Sequence, residues 1–197
     1  LGCISFNGNK ILTTGGGGVI LTNNKMIARK AKYLTTQAKN NPIKFVHDEI
    51  GYNFRLSNLH AAIGISQFKR IKQILEIKRK ITYSYCKYLS NTPGLSINES
   101  PTYAVNNRWL NILRIDRKYF KKTPEQILNN LKKYKIESRH VWMLNHLQKP
   151  YKKYQSYKIE NSKKLVETSL CLPSSINLDV KDIEKICNII KKLKFFY

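Results

Sequence analysis

Acidic residues are scarce in this sequence. Twelve aspartates and glutamates stand against 36 lysines and arginines, a net charge of +24 in 197 residues. Such an excess points first to a polyanionic partner. Arginine is scarce too: 28 of the cations are lysine and eight are arginine, and the lysines are scattered along the chain. Base-edge readers rely on the arginine fork, so a basic nucleic-acid-binding module stays an alternative carried by charge alone. No apolar run approaches the roughly 18 residues that read as a membrane span. No charged-then-apolar leader opens the sequence, so no secretory signal is expected. The four cysteines, Cys3, Cys86, Cys171 and Cys187, form no C-x-x-C pair. That spacing gives no support to a metal site or a redox dithiol, and it predicts buried thiols in a reducing cytosol. Glycine numbers only nine, and the chain has neither a G-x-G-x-x-G run nor a Walker loop. A nucleotide-loop reading therefore has no support.

Four of those nine glycines are consecutive, and they sit beside the most informative stretch. Ser5-Phe6-Asn7-Gly8-Asn9-Lys10 is followed by Ile11-Leu12-Thr13-Thr14 and then by Gly15 to Gly18. The flanks at 2–6 and 18–22 are short, apolar and bounded by turn residues, which predicts two strands. A lysine between a strand and a glycine loop is placed to form an imine with a carbonyl compound. It reacts only as the neutral amine, which calls for burial or a nearby cation. Successive N–H groups in such a loop can also cradle an anion. The plain alternative is that Lys10 is one more solvated lysine and the glycines a flexible turn.

Further along, Asn23-Asn24-Lys25 opens a helix whose apolar face is Ile27, Ala28, Ala31 and Leu34. Residues 37–49 read as a loop with a turn at Asn40-Asn41-Pro42. Gly51 to Leu56 is a second loop, in which Asn53 is an ordinary turn residue and Arg55 a surface arginine able to clamp a phosphate. Helical spacing runs from Ser57 to about Ser90, too long for one ordinary helix, so either a break around 68–73 or a long helix joining two domains is expected. Residues 109–115 read as a strand, Thr123-Pro124-Glu125-Gln126 as a capped helix start, and 136–142 as another strand. This order predicts a small α/β domain. Residues 150–158 interleave tyrosine and lysine as a solvated loop or a stacking platform. A helix over about 162–170 and a last one from Ile183 to about Leu193, capped through Asp179 and Asp182, complete the reading.

Four blocks in order resemble the DegT/StrS family of nucleotide-sugar aminotransferases, and in particular its LegC-like branch. They are the Ser5–Lys10 stretch with its glycines, Gly51-Tyr52-Asn53-Phe54-Arg55-Leu56-Ser57-Asn58, Ile136-Glu137-Ser138-Arg139-His140-Val141-Trp142 with His146-Leu147-Gln148, and Leu170-Cys171-Leu172-Pro173-Ser174-Ser175. Asn7 stands where many relatives have histidine, and His140 where relatives of this branch have proline. The resemblance implies an α/β fold, namely the C-terminal half of a fold-type-I pyridoxal phosphate enzyme. Residues 1–72 would close the large cofactor domain, 73–96 would connect, and 97–197 would form a small α/β domain.

The same resemblance implies roles for single residues. Lys10 would be the catalytic lysine that holds pyridoxal phosphate covalently. Ser5 would bind the cofactor phosphate, and Asn53 would reach the phosphate in a neighbouring subunit's site. Arg139 and His146 would lie near the sugar-nucleotide pocket. The implied reaction moves an amino group, from glutamate, to a nucleotide-linked 4-keto-6-deoxy sugar for surface glycans, in a cytoplasmic homodimer with shared sites. Lysine at position 10 favours amine transfer, because dehydratases of the family have histidine there. A start at Leu1, nine residues before that lysine, keeps an inactive remnant as a third reading.

Overall fold

The computed structural model describes residues 1–41 and 43–195. The chain divides into two compact units, Leu1–Ile74 and Leu75–Tyr197. Among the described residues no helix is long and apolar enough to cross a membrane.

The first unit begins with a hairpin. β1 (Gly2–Ser5) pairs antiparallel with β2 (Gly18–Leu21), with Ser5 opposite Gly18 and Gly2 opposite Leu21. The two predicted strands are thus present, as an isolated two-stranded ribbon. Both faces are open, and Ile4, Ile20 and Leu21 are roughly half exposed. α1 (Lys25–Thr35) starts where Asn24 predicts, because the Asn24 side chain accepts from the N–H groups of Met26 and Ile27. Its apolar face is present but buries no residue.

The stretch predicted as loop contains a small second hairpin, β3 (Lys39–Asn41) with β4 (Val46–His47). The Asn41 side chain turns the chain by accepting from the N–H groups of Ile43 and Lys44. Pro42, the last residue of the expected turn, lies outside the described residues. α2 (Asn58–Lys69) is capped by Ser57, and α3 (Ile71–Leu89) follows after a break at Arg70, inside the predicted window.

The second unit holds the packed core. Its sheet runs β5 (Leu95–Ile97), β6 (Asn111–Ile115), β8 (Ser169–Leu172), β7 (Arg139–His140), antiparallel throughout. Leu95, Ile97, Leu113, Ile115, Leu170 and Leu172 meet apolar residues of α3, α4 (Pro124–Lys133) and α6 (Val180–Lys192). Thr123 and Asp179 each close a capping box with the third helical residue, Gln126 and Asp182. This is the mixed α/β architecture expected.

Three local expectations change. Strand 136–142 shrinks to the edge strand β7, because it meets only Leu170 and Cys171 of the four-residue β8. The helix expected over 162–170 is α5 (Glu160–Glu167); the next residues are drawn into β8 between β6 and β7. Of the four thiols, Cys171 and Cys187 are buried as expected, whereas Cys3 and Cys86 are exposed.

A polar seam lies inside this unit. Lys78, Thr82 and Tyr85 share one face of α3. Lys78 is only 4% exposed, and its ammonium donates to the carbonyls of Trp109 and Ser174. Thr82 Oγ1 donates to Asn111 Oδ1 at 2.7 Å, and the Tyr85 hydroxyl to the Pro173 carbonyl at 2.9 Å. Ser174 Oγ accepts from Asn111 N at 2.9 Å and donates to the Leu172 carbonyl at 3.0 Å. The Leu170–Ser175 block therefore earns its place by satisfying buried polar groups.

Burial lowers the Lys78 ammonium to about 8 from 10.5. Between those values the unfolded chain binds more protons than the folded one, so this residue adds stability as pH rises through the window. Burial pushes the Cys187 thiol up to about 12 and also raises Cys171 and Tyr85. Those groups ionise first in the unfolded chain and subtract stability over the same alkaline range. Lys78→Met isolates the first effect. The stability difference between wild type and this variant should shift in favour of wild type by up to about 3 kcal/mol from pH 7.5 to 10.5. Guanidinium unfolding at several pH values measures it, and parallel pH profiles would refute it.

Candidate active site

Residues 6–17 form a loop closed at its neck by main-chain bonds. Phe6 N–H donates to the Gly17 carbonyl, and Thr14 N–H to the Phe6 carbonyl, each at 3.0 Å. Asn7 forms an isolated parallel bridge with Gly15. Lys10 sits at the turn, its N–H donating to the Asn7 carbonyl at 3.0 Å and its side chain half-buried. Side chains brace the turn as well. Asn7 Oδ1 accepts from Gly8 N–H at 2.9 Å, and Thr13 Oγ1 donates to the Phe6 carbonyl while accepting from Gly15 N–H. That last bond commits one glycine N–H of the expected anion cradle.

Thr14 is the buried pin of this loop, 1% exposed, with its hydroxyl donating to the Gly16 carbonyl. The methyl of Thr14 lies so close to Gly64 of α2 that a Cβ there would stand 2.9 Å from it. Sequence reasoning passed over both residues. The signal was an isolated glycine within a helical pattern, which marks close packing. Gly17 has φ +86°, open to glycine and strained for other residues. A Cβ at Gly18 would stand 2.6 Å from the Ile4 carbonyl, so the hairpin register itself depends on glycine at that position.

Ser5, at the end of β1, is exposed, and its Oγ accepts from Asn7 N–H at 3.3 Å. Asn53 is exposed and bridges antiparallel to Thr36. Around it Tyr52 N–H donates to the Leu34 carbonyl at 2.7 Å, and Phe54 N–H to that of Thr35 at 3.0 Å. These bonds tie the 52–54 loop to the end of α1. A cleft of about 780 Å³ lies between the hairpin, α1 and this loop; Gly16, Gly17, Lys32, Arg55 and His60 are among the residues lining it. The first unit thus carries Lys10, Ser5 and Asn53. The other two expected residues belong to the second unit. Arg139 is exposed on β7 opposite Cys171. His146 is half-buried in a 3₁₀ turn, and its Nε2 is enclosed without a hydrogen-bond partner among the described residues. His140 stands in the β7 ladder and its Nε2 meets Glu125 Oε2 at 2.7 Å. Among the described residues no cluster of three potential metal ligands occurs.

The chain that carries this half-buried lysine has recognisable relatives. The model of the DegT/DnrJ/EryC1/StrS aminotransferase family matches residues 1–191. EpsN of Bacillus subtilis (strain 168), whose name carries a provisional assignment as a pyridoxal phosphate-dependent aminotransferase, is 39% identical over 115 residues, 58% of this chain and 30% of that protein. The GDP-perosamine synthase of Vibrio cholerae is 32% identical over 114 residues, 58% of this chain and 31% of that one. Among solved structures, DesI with its TDP-sugar product has a TM-score of 0.88 at 19% identity, over 98% of this chain and 49% of the DesI chain. Helicobacter pylori PseC, an aminotransferase involved in pseudoaminic acid biosynthesis, has a TM-score of 0.87 at 20% identity, over 99% of this chain and 53% of its own. At such identities the two structures establish the fold. The matches span about half the length of these solved chains and 30–31% of the two curated relatives.

Proposed function

The chain belongs to the DegT/DnrJ/EryC1/StrS aminotransferase family, and on that premise we propose that the protein transfers an amino group, with pyridoxal phosphate, onto a nucleotide-linked keto sugar. The observation that carries this reading is the placing of Lys10 at the tip of a loop held by six backbone or side-chain bonds. A covalently bound cofactor needs its anchoring lysine held, and these bonds hold the main chain at that residue.

The groups present suit the cofactor chemically. Lys10 offers an amine for its aldehyde; the Ser5 hydroxyl and the Asn53 amide, both exposed, offer donors for its phosphate. When bound, pyridoxal phosphate supplies an electron sink for the bond broken at the amine-bearing carbon. The chain's part is to hold and to move protons. Lys10 Nζ would hold the cofactor and, as a neutral amine, would serve as a positioned base for the substrate proton. Ser5 and Asn53 would hold the phosphate end, which would preserve alignment at the reacting carbon.

The names of the relatives, a GDP-perosamine synthase and UDP-linked amino-sugar transaminases, support a nucleotide-linked substrate. Within this reading the sugar is a 4-keto-6-deoxy sugar, as in the LegC-like branch, the donor is glutamate, and the product enters surface glycans. Arg139 and His146 contact the sugar nucleotide. Residues 1–72 complete the cofactor domain, 73–96 connect, and 97–197 form the small domain. The working enzyme is a cytoplasmic homodimer in which Asn53 serves the neighbouring site.

Borohydride reduction of the full-length protein with its cofactor, followed by peptide mass mapping, tests the assignment. The expected result is a single phosphopyridoxyl adduct on the peptide that contains Lys10. An adduct confined to another lysine would overturn it.

A further inference from the structure

A second concavity, of about 630 Å³, opens in the second unit beside β5 and β6. Arg114, Arg117, Lys118 and Lys164 line it, with Asp116 the only acid. Two of the chain's eight arginines thus fall within four positions around one hollow. Asp116 Oδ1 already accepts from Lys118 N–H at 2.9 Å, which holds it within its own turn. No ion pair to any of the four cations occurs among the described residues. The lining carries a formal charge of +3. Ser96, Thr168 and the Tyr119 ring complete the walls.

Geometry fixes this loop rather than leaving it free. Asp116 N–H donates to the Gly94 carbonyl at 2.7 Å, and Phe120 N–H to the Asp116 carbonyl at 2.9 Å. Gly94 itself has φ +87° and room for nothing larger than hydrogen, since a Cβ would stand 2.7 Å from Phe120 N. Arg114 projects from β6, whose neighbours Leu113 and Ile115 point into the core. Cations on a rigid scaffold around a cavity of ligand size lose less freedom on binding than cations on a mobile loop.

We propose that this cleft binds the diphosphate group of a small anion. The arginine forks suit phosphate oxygens bidentately, two lysines add charge, and the Ser96 hydroxyl adds a donor, that of Thr168 being given to the Lys164 carbonyl at 2.7 Å. The proposal stands on residues of the second unit and is independent of the chemistry assigned to Lys10.

Isothermal titration of the whole chain with inorganic pyrophosphate tests it. Arg114→Gln/Arg117→Gln should weaken binding at least tenfold, while Lys10→Ala and the charge-matched control Lys132→Gln/Lys133→Gln retain it. Equal loss in the control would reduce the effect to diffuse charge and overturn the site, as would wild-type affinity in the double arginine variant or no saturable binding in the wild type. A second arm uses uridine diphosphate. If Tyr119→Ala weakens the nucleotide and spares pyrophosphate, a nucleoside diphosphate fills the cleft; if both are spared, an inorganic anion does, and either result supports the diphosphate site.

Discussion

Lys10→Ala is expected to lower the turnover of the full-length protein by at least about 10³-fold, within or beyond the 10²–10⁴ typical of one positioned acid–base group. The loss should exceed a base's contribution alone, because the same nitrogen anchors the cofactor. The fold should not follow the activity. The turn is held by Lys10 N–H, which alanine retains, and by Asn7, Thr13 and Thr14, which it leaves alone. A melting temperature close to wild type, with the covalent cofactor absorbance gone, is the expected pair of results. Lys10→Arg should not rescue, since guanidinium stays protonated and cannot act as the nucleophile. Turnover within tenfold of wild type in Lys10→Ala would remove the enzyme assignment.

Gly51→Ala is the second large effect, and it acts through packing. A Cβ on Gly51 would stand 2.3 Å from Ala38 N and 2.4 Å from the Gln37 carbonyl carbon. Backbone cannot yield as a side-chain tip does. Gln37 and Ala38 already hold φ of +72° and +48°, a conformation that costs non-glycine residues about 1–2 kcal/mol each. Ala38 is fully buried beneath the contact. The added methyl must prise the 37–38 turn from the 51–54 loop, costing about 3 kcal/mol. Gln37 N–H bonds to the Tyr52 carbonyl at 3.0 Å across that contact, and its hydrogen exchange should accelerate by about 100-fold. Asn53 would lose its register opposite Thr36, so activity should fall with it. Gly8→Ala is the control: a Cβ there meets nothing within 4 Å, and stability should change by less than about 0.5 kcal/mol.

What could be read from residues in order was whatever neighbouring residues decide between themselves. Asn24, Ser57, Thr123 and Asp179 start their helices by bonding N–H groups two or three residues ahead. The hairpin around Lys10 is likewise local, two apolar tetrads joined by a glycine-bearing loop. The four ordered blocks went further and placed the chain in its family, whose model matches residues 1–191. β5 and β8 escaped. β8 is buried on both faces and so shows no alternation, and β5 is three residues long.

Other features exist only after distant segments meet. Lys78 looks like any other lysine in a chain of 28 until α3 brings it to a carbonyl 96 residues away. The Gly51 contact with Ala38, the Thr14 pin under α2 and the basic cleft beside Gly94 are of the same kind. Short-range hydrogen bonding and periodicity are written in consecutive residues. Burial, close approach and the sharing of one hollow by far-apart charges are properties of packing, and packing is decided by the folded chain as a whole.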